Sequence, residues 1–267
     1  MEEALNTVSR GSKTGGSAAA NAAHEEQGRL PRGPVVKLCG LTRPEDVLVA
    51  CALGVWSVGF VFAASPRRLT PGAARALAEK AREGAAEPGE SQGPAPLLAG
   101  VFVDSAAADI AKTVREVGLD AVQLHGLRGP TAAEVRSALA GLERRVLIIR
   151  AVPVDPDAID ASALNRAISQ AREEADVVLL DTRTSARFGG SGRAFPWRVA
   201  REAVGSAGSG FPLLLAGGIG PDNVRSALSE SGAWGVDVSS GVESAPGIKE
   251  RGLMERLVAQ VEEGKGQ

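Results

Sequence analysis

The chain has 267 residues, of which 44% are hydrophobic and 23% charged, with a formal net charge of -2 and a pI near 5.9. This composition is typical of a globular protein, and the small net charge offers no basic surface for nucleic acid or an acidic membrane. We expect neither as a partner. Two cysteines, Cys39 and Cys51, are too few for a disulfide framework, and the start MEEALNT is unlike a secretory leader, so we expect a cytoplasmic location.

Residues 1–33 differ in composition from the rest of the chain. They are rich in Ala, Gly, Ser and Glu, so they cannot bury enough apolar surface to offset the entropy lost on ordering. We predict a disordered tail, with a partner-binding segment as the alternative. The tract GAAEPGESQGPAP at 84–96 has the same character, and we predict a flexible insert there within a domain that spans 34–267.

Eight short apolar runs follow in chain order. Each is continuous rather than alternating, which is typical of strands buried on both faces of a parallel sheet. The runs are VVKLCG (35–40), SVGFVF (57–62), LLAGVFV (97–103), AVQLHG (121–126), RVLIIRAV (145–152), ADVVLLD (175–181), PLLLAGG (212–218) and GVDVSSG (235–241).

Helix start signals separate these runs. Thr42–Glu45 and Thr131–Glu134 have the pattern of a capping box, while Thr70-Pro71 and Pro221-Asp222 indicate two further starts. Alternating strands and helices predict an α/β protein with a single (β/α)8 TIM barrel. A doubly wound open sheet is the alternative, but it usually has a G-x-G-x-x-G turn after its first strand, and CGLTRPED contains a single glycine.

Catalytic groups of such a barrel lie at the carboxyl ends of its strands. Cys39, Asp104, His125 and Asp181 occupy strand ends, and for Asp104 we expect a helix N-cap rather than catalysis. Glycine-rich turns follow the seventh and eighth strands, where barrels commonly bind phosphate through backbone N–H groups. Glycines that merely turn the chain are the alternative for any one position. The phosphate candidates are Gly217, Gly218, Ser240 and Gly241.

Seven segments between residue 35 and about residue 250 have an order and spacing typical of one enzyme family. They are KLCGLT, GFVFAASPR, GVFVD, VQLHG, LLDT followed by GGSGRAFPW, LLLAGGI with PDNV, and DVSSGVE ending in G-x-K. This set resembles the phosphoribosylanthranilate isomerase family of tryptophan biosynthesis. One departure is that Ser191 and Pro196 stand where the family usually has threonine and aspartate.

The resemblance implies a ribulose-phosphate-binding barrel that needs no metal and no cofactor. It also implies an Amadori rearrangement of a small phosphorylated substrate, in which N-(5-phosphoribosyl)anthranilate becomes 1-(2-carboxyphenylamino)-1-deoxyribulose 5-phosphate. By the same resemblance Cys39 falls on the general base, Asp181 on the general acid, and Arg67 on the arginine that faces the anthranilate carboxylate.

This chemistry requires one proton donor and one proton acceptor. Ring opening needs a proton on the ribose oxygen, and the Schiff base then loses its C2 proton, so a carboxylic acid and a thiolate suit the two tasks. Lys37 is two residues before Cys39 on the same strand, so both side chains should face the barrel interior. There the charge of Lys37 could favour the thiolate of Cys39, but we prefer a buried ion pair between Lys37 and Asp237. Gln123 and His125 are expected to orient the substrate, with His125 as an alternative acid.

Three other functions remain open at this point. A histidine-pathway ribotide could undergo the analogous rearrangement, a barrel of this type could bind a ligand without catalysis, or Cys39 could be a hydrolase nucleophile with His125 as its base. No His, Cys and carboxylate cluster has the spacing of a metal site, so we expect no metal. Protein partners are not indicated. Cys51 has Val47 and Leu48 nearby on a predicted helix, and we expect it to pack in the core.

Overall fold

The computed structural model describes residues 30–86, 95–126, 128–156, 158–182, 197–206 and 211–264. Nearly all of the predicted tail at 1–33 lies outside these residues, as does the segment 183–196 that contains Ser191 and Pro196. The boundaries predicted for the tail and for the insert therefore remain predictions. Residues 84–86 of the predicted insert belong to a helix that ends at Ala86, and 87–94 lie outside the described residues.

Eight parallel strands close into a barrel in the order β1 to β8, which confirms the predicted fold class. Pairing of β1 with both β2 and β8 closes the ring. All eight apolar runs contain a strand, because a strand buried on both faces must be apolar almost throughout. The strands are β1 Val35–Cys39, β2 Ser57–Val61, β3 Leu97–Val103, β4 Ala121–His125, β5 Leu147–Val154, β6 Val177–Thr182, β7 Leu213–Ala216 and β8 Gly235–Val238.

Helices alternate with these strands and surround the barrel. They are α1 Pro44–Ala52, α2 Pro71–Ala86, α3 Ala107–Val117, α4 Ala132–Ala138, α5 Ala161–Glu174, α6 Trp197–Ser206, α7 Val224–Ser231 and α8 Arg251–Gly264. Between β8 and α8 the chain adds a short 3-10 helix, Ser240–Val242, and a hairpin of β9 Glu243–Ala245 and β10 Ile248–Lys249. No helix in the part of the chain that the structure describes is long and apolar enough to cross a membrane.

Two of the predicted helix starts are confirmed by their caps. Thr131 accepts from Glu134 N at 3.2 Å while the Glu134 carboxylate accepts from Thr131 N at 2.7 Å, which is the predicted capping box of α4. Thr70 Oγ1 accepts from Ala73 N at 3.2 Å at the start of α2. Each such side chain satisfies an N–H group that the first helical turn leaves unpaired.

Two cap predictions are wrong, and one helix begins later than predicted. The N-cap of α1 is Arg43, and the Thr42 hydroxyl donates instead to Gly247 O at 2.5 Å, so it links α1 to the hairpin. The N-cap of α3 is Ala106, whereas Asp104 has a φ of 48° and accepts from Arg128 N at 2.9 Å. The helix predicted to start at Pro221-Asp222 begins at Val224. In the first two cases, the side chain that the local pattern assigned to a cap instead forms a hydrogen bond with a residue distant in sequence.

Alternation along β1 separates the outer core from the barrel interior. Leu38 is fully buried in the main apolar cluster, which also contains Val47 and Ala50 of α1, whereas Cys39 belongs to a small separate cluster with Val61. Burial of a leucine of this kind contributes about 1.5–3 kcal/mol to folding. Odd positions of β1 therefore face inward, as predicted for Lys37 and Cys39.

The second thiol lies in the outer core, as predicted. Cys51 is 3% exposed within the main apolar cluster, and its Sγ lies 3.6 Å from Ala81 O. Burial raises the pKa of Cys51 to about 11, so this thiol stays protonated at neutral pH.

Candidate active site

A cavity of about 240 Å³ opens at the carboxyl ends of the strands. It lies where the βα loops of a (β/α)8 barrel gather. The lining includes every site residue predicted from the sequence, namely Cys39, Arg67, Gln123, His125, Asp181, Gly217, Gly218, Ser240 and Gly241. Asp104, which follows β3, is not among the lining residues. Arg150 lies in the middle of β5, is also not among them, and donates to Pro130 O at 3.1 Å.

Cys39 is the last residue of β1 and is 8% exposed. A side chain on the neighbouring Gly59 would bring its Cβ to 2.8 Å from Cys39 Sγ and 3.2 Å from Lys37 Nζ, so glycine leaves room for both groups. Burial raises the pKa of Cys39, and the nearby Lys37 and Lys249 offset this only in part. The resting group in this site is therefore a neutral thiol.

Lys37 and Asp237 form a buried ion pair beneath the thiol, as we preferred from the sequence. Their Nζ and Oδ1 atoms are 2.9 Å apart, and the lysine side chain is 0% exposed. Burial alone would lower the pKa of Lys37, but attraction to Asp237 and Cys39 outweighs it and raises the pKa. A charged ammonium group therefore lies within the barrel next to Cys39.

Asp181 reaches the same cavity from β6, with its side chain 24% exposed. His125 at the end of β4 places Nδ1 3.8 Å from Asp181 Oδ2, and its Nε2 lies 2.7 Å from Gln123 Nε2. Asp181 and Gln123 therefore lie against opposite nitrogens of the imidazole. Gln123 and His125 thus form one polar group beside the carboxyl.

The two glycine-rich loops lie in direct contact with each other. A Cβ on Gly241 would lie 1.9 Å from Ile219 O, so only glycine permits this approach. Asn223 closes the first loop by accepting from Gly220 N at 2.9 Å and donating to Gly218 O at 2.8 Å. Gly217 and Gly218 have φ values of 91° and 66°, so the turning role considered from sequence also applies to them.

Arg67 lies at the cavity rim on the loop after β2. Its methylene chain occupies the space above Gly40, where a Cβ would come within 2.4 Å of Arg67 Cδ. Ser65 Oγ accepts from Arg67 N at 3.1 Å and shapes the loop, while the following Arg68 is exposed. The Arg67 side chain therefore lies across the end of β1.

Two residues of this site were not predicted from the sequence. Glu243 accepts from Arg67 Nε at 2.8 Å and Nη2 at 2.5 Å, and Lys249 Nζ donates to Glu243 Oε1 at 2.8 Å. Both residues occur in the DVSSGVE and G-x-K segments, but nothing local indicates that they meet at the end of β1. Their proximity depends on the hairpin that pairs Lys249 with Glu243.

The closed barrel and the cavity at the carboxyl ends of its strands define an enzyme-like site of the (β/α)8 class. Residues 36–260 match the family model described as N-(5'phosphoribosyl)anthranilate (PRA) isomerase. An N-(5'-phosphoribosyl)anthranilate isomerase from Rubrobacter xylanophilus is 38% identical over 226 residues, covering 84% of this chain and 97% of its own. The chain belongs to the N-(5'-phosphoribosyl)anthranilate isomerase family.

Solved structures give the same result. The crystal structure of phosphoribosyl anthranilate isomerase from Thermotoga maritima has a TM-score of 0.69 and 32% identity, covering 88% of this chain and all of its own. A second structure of such an isomerase, in complex with reduced 1-(o-carboxyphenylamino)-1-deoxyribulose 5-phosphate, has a TM-score of 0.66 and also 32% identity over 88% of this chain.

Proposed function

We propose that this chain is an isomerase of tryptophan biosynthesis that converts N-(5'-phosphoribosyl)anthranilate into 1-(2-carboxyphenylamino)-1-deoxyribulose 5-phosphate. One observation supports this function most strongly: a thiol and a carboxyl group from non-adjacent strands share one cavity with two adjoining glycine-rich loops. A substrate held at its phosphate by those loops would have its ribose between Cys39 and Asp181.

Asp181 acts as the general acid in this proposal. Its carboxyl gives a proton to the ribose ring oxygen while the anilino nitrogen lone pair forms a double bond to C1, which breaks the C1–O bond and opens the ring. His125, with Nδ1 3.8 Å from Asp181 Oδ2, holds the carboxyl toward the cavity. The product of this step is a protonated Schiff base.

Cys39 acts as the general base in the second step. The thiol first loses its proton to solvent. The cationic Schiff base withdraws electrons from C2, and the C2 proton passes to the thiolate while the C–H electron pair forms the C1–C2 double bond and the C1–N double-bond pair returns to nitrogen. The resulting enolamine then gains a proton on C1 and loses one from the C2 hydroxyl to give the ketone. Lys37, charged and adjacent to Cys39, lowers the cost of forming the thiolate.

Substrate binding uses the two ends of the cavity. Backbone N–H groups of the loops that contain Gly217, Gly218, Ser240 and Gly241 receive the phosphate, and Arg67 receives the anthranilate carboxylate. Gln123 and His125 contact the ribose between them. We place the protein in the cytoplasm, since both cysteines are free and buried.

Turnover of the two acid–base variants tests these roles. Loss of substrate fluorescence, measured with chelator present, should show Cys39→Ser and Asp181→Asn each at least about 100-fold slower in kcat than the unaltered protein. Cys51→Ser is the matched control, because it changes a thiol outside the cavity and should keep kcat. Unaltered turnover in either active-site variant would contradict the assigned role.

Turnover measurements with both candidate substrates distinguish two of the alternatives. A ligand-binding barrel without catalysis would show no turnover, and an enzyme for the histidine-pathway ribotide would turn over that compound instead. The hydrolase alternative requires His125 as base to Cys39, yet the contacts of His125 described above are with Gln123 and Asp181. These contacts favour acid–base isomerisation over a Cys–His nucleophile.

A further inference from the structure

Glu243 is a buried carboxylate at the rim of the cavity, with its side chain 3% exposed. It accepts two hydrogen bonds from Arg67, one from Lys249 Nζ at 2.8 Å and one from Gly247 N at 3.2 Å. Burial alone would raise the pKa of Glu243, but the bonds from Arg67 and Lys249 outweigh it and lower the pKa. Glu243 is therefore ionised and fully occupied by the protein's own donors.

Among the residues that the structure describes, Glu243 bonds one edge of the Arg67 guanidinium, which leaves the other edge for a ligand. A guanidinium has five N–H donors, and Glu243 uses the edge formed by Nε and Nη2. The terminal edge, formed by Nη1 and the second Nη2 proton, is the fork that matches a carboxylate in two parallel bonds. Glu243 thus fixes both the position and the rotation of this fork.

Lys249 links this anchor to the strand that carries the thiol. Its Nζ, in a side chain that is 0% exposed, donates to Cys39 O at 2.5 Å, to Ser239 O at 3.1 Å and to Glu243 Oε1 at 2.8 Å. The backbone N of Lys249 donates to Asp46 Oδ2 at 3.1 Å, so the hairpin is held against α1. Arg67 and Cys39 are therefore connected through two side chains, Glu243 and Lys249.

We propose that Glu243 and Lys249 are positioning residues that orient Arg67 for the substrate carboxylate and fix its distance from Cys39. Arg67 and Lys249 supply two positive charges and Glu243 one negative charge, so the group keeps a net positive charge that a ligand carboxylate can neutralise. This inference rests on the role proposed above for Arg67. It adds that the arginine recognises the carboxylate because a second, buried carboxylate holds it in place.

Two stable ligands test the inference. One is reduced 1-(o-carboxyphenylamino)-1-deoxyribulose 5-phosphate, and the other is its phenylamino counterpart without the carboxyl group. Their ratio of Kd values reports recognition of the carboxylate alone. We expect a ratio of about 10 to 100 in the unaltered protein, from a charged hydrogen-bonded contact, and a ratio near one in Arg67→Ala.

Glu243→Gln should lower that ratio at least about 5-fold and leave Kd for the phenylamino ligand unchanged, because an amide offers only one acceptor to the fork. Glu243→Asp keeps the charge beside Lys249 but shortens the reach to Arg67, so it should lower the ratio in the same direction even if Glu243→Gln does not fold. Glu79→Gln is the matched control, since Glu79 pairs with Arg75 at 3.1 Å on an exposed face, and it should change neither Kd.

The outcomes distinguish the role of Arg67 in binding the carboxylate from the positioning of Arg67 by Glu243. A normal ratio in Arg67→Ala would overturn the role of Arg67 itself. A lost ratio in Arg67→Ala with a normal ratio in both Glu243 variants would keep that role and overturn the positioning by Glu243. Equal weakening of both ligands would show a merely structural role. Tighter binding of the carboxylate ligand in Glu243→Gln would show that Glu243 competes with the substrate, which also contradicts the inference.

Discussion

Replacement of Lys37 by methionine should destabilise the protein strongly although it adds an apolar residue to a buried position. The side chain of Asp237 is 6% exposed and its Oδ1 lies 2.9 Å from Lys37 Nζ, so Lys37→Met leaves this carboxylate buried without its counterion. Breaking one side of a buried pair costs about 3–5 kcal/mol. In a domain of this size that corresponds to a fall in Tm of about 6–20 °C.

The double variant Lys37→Met with Asp237→Asn separates the cost of a stranded charge from the cost of lost packing. Both charges are then absent, so the double variant should melt above Lys37→Met. Thermal unfolding followed by circular dichroism measures Tm for the unaltered protein, for Lys37→Met, for Asp237→Asn and for the double variant. A fall in Tm below about 2 °C for Lys37→Met, or a double variant that melts at the sum of both losses, would refute the energetic argument.

The same pair should shift the pH dependence of kcat in opposite directions. Lys37 lowers the pKa of Cys39 whereas Asp237 raises it. A general base works when deprotonated, so kcat rises with pH as Cys39 loses its proton. Lys37→Met should raise that pKa and move the rising limb to higher pH, and Asp237→Asn should move it to lower pH. Shifts in the same direction would show that the pair does not act on the thiol electrostatically.

Two further predictions concern the tail and the phosphate loops. Deletion of residues 1–30 should change neither Tm nor kcat, because that composition provides no core, and a loss of several degrees would contradict this. Gly241→Ala should raise KM and lower Tm by a few degrees, since its Cβ would lie 1.9 Å from Ile219 O. Gly252→Ala in α8, where a Cβ meets nothing within 4 Å, should instead stabilise by about 0.5–1 kcal/mol.

The fold was predictable because its signals repeat locally. Each strand of a parallel barrel must be apolar on both faces, and each helix between strands requires its own start, so eight similar segments indicate the topology together. The position of Cys39 and Asp181 at strand ends then placed both in one cavity without any knowledge of packing. The alternation of side chains along β1 predicted that Lys37 faces inward. Because β1 and β8 are neighbours in a closed barrel, Asp237 of β8 was the expected partner.

Contacts between distant loops could not be predicted in this way. Thr42 has the local pattern of a cap, yet it bonds to Gly247 O because the hairpin after β8 folds over the start of α1. Glu243 and Lys249 lie in the DVSSGVE and G-x-K segments, but nothing local indicates that they are buried together, and the hairpin is what brings them into contact next to Arg67. When the burial of a residue depends on contacts among three separate segments, the hydrophobic periodicity of its own segment does not predict that burial.

The structure also explains why a thiol suits the end of β1. Burial raises the pKa of Cys39 above its ordinary value, so the thiol is neutral at rest. A neutral thiol can rest against Val61 and Val101 without the desolvation cost of a permanent charge, whereas a carboxylate there would face the nearby Asp237.

A neutral thiol must lose its own proton to solvent before it can accept another, so Cys39 reacts as its thiolate. The C2 proton becomes acidic only after Asp181 has opened the ring and the cationic Schiff base has formed. Lys37 and Lys249 both lower the pKa of Cys39, so they stabilise the thiolate during this step more than they affect the resting thiol. A lower pKa makes the thiolate more abundant, although each thiolate is then a weaker base, so the buried cations act by making the reactive form of Cys39 available.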